Sequence, residues 1–151
     1  MDRGLTHVAF TVGDLEASIA FYHTYARMGV VHQRADAEHG TRVAWISDGT
    51  RPFVIVLIES ASRVPGAGLL PKVVSQLRPP FSHLGVACET REEVDAACSR
   101  AADEGILEIA PRDMGPPVGY LGLIRDPDGH HLEVSYGQDV GLTVAAETTG
   151  P

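Results

Sequence analysis

Two histidines stand at the same place in two similar stretches of this chain. His7 lies in Leu-Thr-His-Val-Ala-Phe-Thr-Val (5–12), and His83 lies 76 positions later in Phe-Ser-His-Leu-Gly-Val-Ala-Cys (81–88). In each stretch a bulky apolar residue and a hydroxyl residue precede the histidine, and an apolar strand follows it. Imidazole is the side chain that metal sites use most often, so a duplicated imidazole indicates a metal site built about a pseudo-twofold axis.

Strand alternation predicts the face on which each histidine lies. Successive side chains of a strand point to opposite sides of the sheet. In the first stretch the apolar residues follow the parity of Val8 and Val12, which must pack on a helix, so His7 faces the other way. The same count places His83 opposite the apolar set of its own strand.

A third strand adds a carboxylate to this face. In the run 131–136, Leu132 and Val134 form the apolar set, which leaves His131 and Glu133 on the face of the histidines. A glutamate turned inward is costly to bury without a partner. His131 is then a candidate general base, or a hydrogen-bond partner of the ligands.

His7, His83 and Glu133 therefore form a candidate metal site. Two imidazoles and one carboxylate suit a single divalent ion of Fe, Mn, Zn, Ni or Co, and the sequence does not choose among them. Three protein ligands leave coordination positions open, as a catalytic metal requires.

Both copies predict the same order of elements, βαβββ. The first helix spans Leu15–Arg27 with Asp14 as its N-cap, and the second begins after Thr90 and ends at Gly105. The strand-like runs that follow the helices are Val30–Arg34, Arg42–Ser47 and Phe53–Glu59 in the first copy and Leu107–Ala110, Gly119–Arg125 and His131–Tyr136 in the second.

Length and composition bound the class of protein. The 151 residues fit one domain, with module 1 at about 4–59, a connector at 60–80, module 2 at about 81–137 and a tail at 138–151. Twelve basic and 20 acidic residues give a net charge of −8, which argues against nucleic acid or an anionic membrane as the main partner. No apolar run approaches the roughly 20 residues of a membrane span. We expect a cytoplasmic protein.

These motifs resemble the vicinal oxygen chelate superfamily, which includes glyoxalase I, methylmalonyl-CoA epimerase, extradiol dioxygenases, fosfomycin-resistance thiol transferases and bleomycin-resistance binding proteins. The resemblance covers about residues 4–137 and rests on His7, the run Asp14 to Tyr22, His83 and Asp126-Pro-Asp-Gly-His-His-Leu-Glu133. It implies an α+β fold in which two tandem βαβββ modules form an incomplete mixed β-barrel around a metal site. The first strand of each module would lie beside the last. It also implies a homodimer that acts on a small molecule.

The chain departs from the glyoxalase I and epimerase pattern at one ligand. Those proteins have a fourth protein ligand in the last strand of the first module, and this chain has Val56 at the matching place. Glu59 lies an odd number of residues away, on the opposite face of a regular strand. A bulge would be needed to make Glu59 a possible fourth ligand.

The chain also departs from the patterns of two other members of the superfamily. Fosfomycin-resistance enzymes need a threonine where this chain has Ala9 and a tyrosine where it has Leu123, and extradiol dioxygenases also favour that tyrosine. Tyr120 is then the candidate that could supply proton transfer from a shifted strand. Leu121 and Leu123 predict an apolar pocket.

The resemblance and the ligand set together predict a divalent-metal-dependent enzyme acting on a small substrate with vicinal oxygens, with a three-ligand site most like that of extradiol dioxygenases. Two alternatives stay open. One is a metal-free protein of the bleomycin-resistance type that sequesters an aromatic small molecule. The other is a glyoxalase I-like lyase with Glu59 as the fourth ligand.

Overall fold

The computed structural model describes residues 7–38, 40–60 and 83–138. Its elements repeat the order βαβββ, which confirms the predicted α+β class with two modules. They are β1 (His7–Val12), α1 (Leu15–Ala26), β2 (Gly29–Asp36), β3 (Thr41–Ser47), β4 (Val54–Ser60), β5 (His83–Ala87), α2 (Arg91–Asp103), β6 (Leu107–Asp113), β7 (Tyr120–Arg125) and β8 (His131–Tyr136).

The strands form two open four-stranded sheets, with orders β1-β4-β3-β2 and β5-β8-β7-β6. In each sheet the first strand pairs in parallel with the last, and the remaining pairs are antiparallel. The first strand of each module therefore lies beside the last, as the resemblance implied.

The chain divides into two compact units. Unit 1 contains β1 to β4, α1 and the turn Asp126–His130, and unit 2 contains β5 to β8 and α2. Residues 61–80 of the predicted connector and the predicted tail from residue 139 onward lie outside the described residues.

Both helices begin at the predicted caps. Asp14 Oδ1 accepts from the backbone N–H of Ala17 at 3.0 Å, and Thr90 Oγ1 accepts from that of Glu93 at 3.2 Å. Each cap satisfies an N–H that has no partner inside the helix. Neither helix of the described ranges is long and apolar enough to cross a membrane.

Each helix covers one face of its own sheet. In unit 1 the buried face of α1, with Leu15 and Tyr22, packs on β3 and β4. In unit 2, α2 lies so close to β7 that a Cβ on Gly122 would stand 2.4 Å from Cys98 Sγ. Only glycine fits at position 122. The candidate site therefore lies on the sheet faces that the helices do not cover.

The largest differences from the predicted strands are in β2, which runs Gly29–Asp36 instead of Val30–Arg34, and in β6. The sequence indicated that β6 ends at Ala110, whereas it continues through Pro111 to Asp113. Proline is tolerated here because β6 is the edge strand of its sheet and its pairing is irregular between Ile109 and Arg112.

Candidate metal centre

The pairing of β5 with β8 brings the second histidine to the glutamate. In the parallel register His83 lies beside His131, and Gly85 lies beside Glu133. Neighbouring residues of paired strands share a face, and alternate residues of one strand do so too. The structure therefore brings His83, His131 and Glu133 together on one face of the unit 2 sheet.

Glu133 is a buried carboxylate with a partner on each oxygen. The residue is 5% exposed. His83 Nε2 lies 3.2 Å from Oε2, and Gln138 Nε2 donates to Oε1 at 2.8 Å. These two contacts satisfy a charge that would otherwise be costly to bury.

The spacing of His83 and Glu133 fits two ligands of one divalent ion. Metal–nitrogen and metal–oxygen bonds of about 2.1 Å, at angles of about 90–110°, place two donor atoms about 3.0–3.4 Å apart. The observed separation between the nitrogen and the oxygen is 3.2 Å. The side chain of His83 is 35% exposed, so a metal ion could reach the pair.

Within residues 7–38, 40–60 and 83–138, no three His, Cys, Asp or Glu side chains form a group that could hold a metal ion. His83 and Glu133 lie in unit 2, and His7 lies in unit 1. Of the three ligands predicted from the sequence, the structure places His83 and Glu133 in direct contact.

His7 occupies the same position in unit 1 that His83 occupies in unit 2. It is the first residue of β1, pairs with Val54 of β4 and is exposed. Along β1 the more buried residues alternate with His7 and end at Val12. His7 therefore lies on the sheet face away from α1.

Glu59 lies on the other face of the unit 1 sheet. Its neighbour in β1 is Val12, whereas Val56 is the neighbour of Ala9 on the His7 face. Glu59 Oε2 accepts from Arg42 Nη1 at 2.9 Å. The same guanidinium contacts Glu16 of α1, so Glu59 belongs to a charge cluster beside the helix.

On the β7 side, Glu133 is flanked by apolar residues. Leu123 lies directly across from Glu133 in β7, and Leu121 lies two residues along on the same face. Both leucines are buried. A Cβ on Gly85 would stand 3.8 Å from Glu133 Oε1, so glycine leaves space beside the carboxylate.

His131 is the more deeply placed histidine of unit 2. It is 4% exposed and lies between His83 of β5 and Arg125 of β7. Its position on the face of Glu133 follows the strand parity read from the sequence.

The structure does not bring Tyr120 to this face. Tyr120 donates to Asp95 Oδ1 of α2 at 2.6 Å, which places it on the helix side of β7. The guanidinium of Arg91 stands 4.8 Å from its ring centroid. The hydrogen bond to Asp95 raises the pKa of Tyr120.

Sequence reasoning missed two features near the site. Gln138 was placed in the tail, but it contacts Glu133. The turn Asp126–His130 is also held by other residues of unit 1: Asp128 Oδ1 accepts from the backbone N–H of Gly13 at 2.8 Å, and Asp126 Oδ2 accepts from Tyr22 Oη at 3.0 Å. Burial raises the pKa of Asp128. The sequence shows the acidic residues of this turn, but it does not show which residues they bind.

A protein-family model matches most of the chain. Residues 4–134 match the model of the Glyoxalase/Bleomycin resistance protein/Dioxygenase superfamily. An uncharacterized protein of Pseudomonas aeruginosa is 38% identical over 143 residues, which cover 93% of this chain and 94% of that protein. A lactoylglutathione lyase of Salmonella typhimurium is 26% identical over 147 residues, with 91% and 95% covered.

Solved structures share the fold. A mutant of the fosfomycin resistance protein FosX from Listeria monocytogenes, in complex with Mn(II) and 1S,2S-dihydroxypropylphosphonic acid, has a TM-score of 0.66, 19% identity and coverage of 95% of this chain and 99% of that one. Leishmania major glyoxalase I has a TM-score of 0.65 at 17% identity, with 97% and 96% covered.

Proposed function

Because the chain belongs to the Glyoxalase/Bleomycin resistance protein/Dioxygenase superfamily, we propose that it is a divalent-metal-dependent enzyme acting on a small substrate with two neighbouring oxygen atoms. The observation that carries this proposal is the contact between His83 Nε2 and Glu133 Oε2 at 3.2 Å. The carboxylate is buried, and the imidazole is accessible. A site of this kind suits an ion that arrives from solvent.

His7, His83 and Glu133 would hold the ion. His7 enters the set because it starts β1 as His83 starts β5, on the face away from the helix. When bound, an Fe, Mn, Zn, Ni or Co ion would supply Lewis acidity to the oxygens that it chelates.

The side chains around the pair favour a neutral or partly apolar substrate. Leu123 stands across from Glu133, and Leu121 extends the same surface. These leucines exclude water from one side of the carboxylate, and Gly85 leaves room for a substrate group. Neither leucine can donate a hydrogen bond to an anionic substrate.

His131 is the proposed proton acceptor. It lies two residues from Glu133 on the same face, and a neutral imidazole carries one ring nitrogen that accepts a hydrogen bond or a proton. Tyr120 is bound to Asp95 on the helix side and is not used in this scheme.

Within the superfamily, the three-ligand set favours chemistry of the dioxygenase kind over that of a lyase with four protein ligands. Val56 lies on the His7 face and carries no donor atom, whereas Glu59 is turned toward Arg42 and Glu16. We also propose that the protein acts as a homodimer, as the superfamily architecture implies.

Metal content tests the proposal. Protein purified anaerobically without chelator is analysed for metals, and the apoprotein is then titrated with Co²⁺. We expect stoichiometric binding that His83→Ala and Glu133→Ala abolish while the circular dichroism spectrum is retained. His32→Ala is the matched control, because His32 is an exposed histidine of β2.

Two results would count against the assignment. Unchanged Co²⁺ affinity in both His83→Ala and Glu133→Ala would show that these residues do not form the metal site. Wild-type protein that takes up no metal would instead support the metal-free, sequestering class of relatives.

A further inference from the structure

Gln138 is the second polar side chain on the Glu133 carboxylate. In a continued strand, five residues would span about 16 Å, too far for these side chains to meet as they do. Gly137 has φ +75, in the left-handed region that glycine adopts readily, and the chain bends there after β8. The Gln138 amide therefore returns to the face of Glu133 and donates to Oε1 at 2.8 Å.

The amide of Gln138 is itself held in one orientation. Ser135 Oγ lies 3.4 Å from Gln138 Oε1 and 3.4 Å from the carbonyl oxygen of Val86. Ser135 is 2% exposed and shares the face of Glu133. An ionised carboxylate only accepts hydrogen bonds, so the amide nitrogen must face Glu133 and the amide oxygen must face Ser135.

From these contacts we propose that Gln138 is a positioning residue. It occupies Oε1 of Glu133, so that Oε2 is the oxygen presented beside His83 and the carboxylate binds a divalent cation through this one oxygen. The amide donates without adding positive charge, which leaves the negative charge of Glu133 available to the cation. This inference rests on the proposed function.

Loss of the amide should weaken metal binding without removing a ligand. Groups that hydrogen-bond to metal ligands fix the ligand's orientation, and their loss typically lowers metal affinity about 10–100-fold. With Oε1 released, the carboxylate can rotate or bind through both oxygens, so the coordination of the metal should also change.

The test compares apoproteins titrated with Co²⁺ and followed by visible absorbance. Gln138→Met keeps the length of the side chain and removes the donor. We expect about 10–100-fold weaker Co²⁺ affinity and an altered ligand-field spectrum at saturation. Gln33→Met is the matched control, since Gln33 is an exposed glutamine of β2 in unit 1, and it should change neither quantity.

Ser135→Ala tests the same contacts from the other end. It should weaken Co²⁺ binding by a smaller factor than Gln138→Met. Because Ser135 acts through Gln138, the double variant should bind no worse than Gln138→Met alone. Two independent, additive losses would contradict the proposed chain of contacts.

The remaining outcomes separate this inference from the function on which it rests. If Glu133→Gln abolishes Co²⁺ binding while Gln138→Met keeps the wild-type affinity and spectrum, the positioning role is wrong and the metal site stands. If Glu133→Gln keeps the wild-type affinity, both proposals are wrong.

Discussion

Glu59→Gln and Glu133→Gln make the same chemical change at two places that the sequence offered as metal ligands. We expect Glu133→Gln to abolish Co²⁺ binding and Glu59→Gln to leave it unchanged within measurement error. The reason is the side of the sheet: Glu59 pairs with Val12 on the helix face and accepts from Arg42, whereas Glu133 lies beside His83.

The structure also sets the size of the effect of Glu59→Gln on stability. The side chains of Arg42 and Glu59 are 43% and 24% exposed, so their ion pair is partly screened by water. Such pairs contribute about 0.2–1 kcal/mol. The loss should fall at the lower end, because Arg42 keeps its contact with Glu16 and glutamine still offers an acceptor oxygen. For a domain of this size, 1 kcal/mol corresponds to about 2–4 °C in Tm.

Two assays check this prediction. Co²⁺ titration of the apoproteins gives the affinity, and thermal unfolding gives the change in Tm. Turnover of the methylglyoxal–glutathione hemithioacetal provides a third measurement, and we expect it to be poor in the wild type. Efficient hemithioacetal turnover that Glu59→Gln abolishes would show that Glu59, and not Val56, occupies the position of the fourth ligand.

Three further outcomes follow from the site and the fold. Tyr22→Phe removes a buried hydrogen bond to Asp126 and should cost about 1.5–3 kcal/mol in urea unfolding at pH 7. Burial raises the pKa of Tyr22 in the folded protein, so above about pH 10 the tyrosine ionises first in the unfolded chain. The wild type should therefore lose its extra free energy of unfolding over Tyr22→Phe as the pH rises above about 10. A difference between the two proteins that stays constant to about pH 11 would contradict this. Light scattering at micromolar concentration should give the mass of a dimer, and a strictly monomeric mass would refute the proposed assembly. Catechol-like or 2-hydroxy-carbonyl compounds should perturb the spectrum of the Co²⁺ protein, and an unchanged spectrum would argue against vicinal-oxygen chelation.

The sequence could predict whatever depends on local periodicity. The alternation of apolar and polar residues along β5 and β8 placed His83 and Glu133 on the face away from the helix, because successive strand residues point to opposite sides. Capping residues located the starts of both helices, since Asp14 and Thr90 act on N–H groups only three residues away. The repeat of these patterns gave the two βαβββ modules.

Contacts between distant residues were decided only by the tertiary structure. The contact of Glu133 with His83 depends on the register of β5 against β8, and the contact of Glu133 with Gln138 depends on the bend of the chain at Gly137. The partner of Tyr120 is set by where α2 crosses β7. The two-residue period of a strand determines the face on which a side chain lies. Its partner on that face belongs to another element, which only folding brings near.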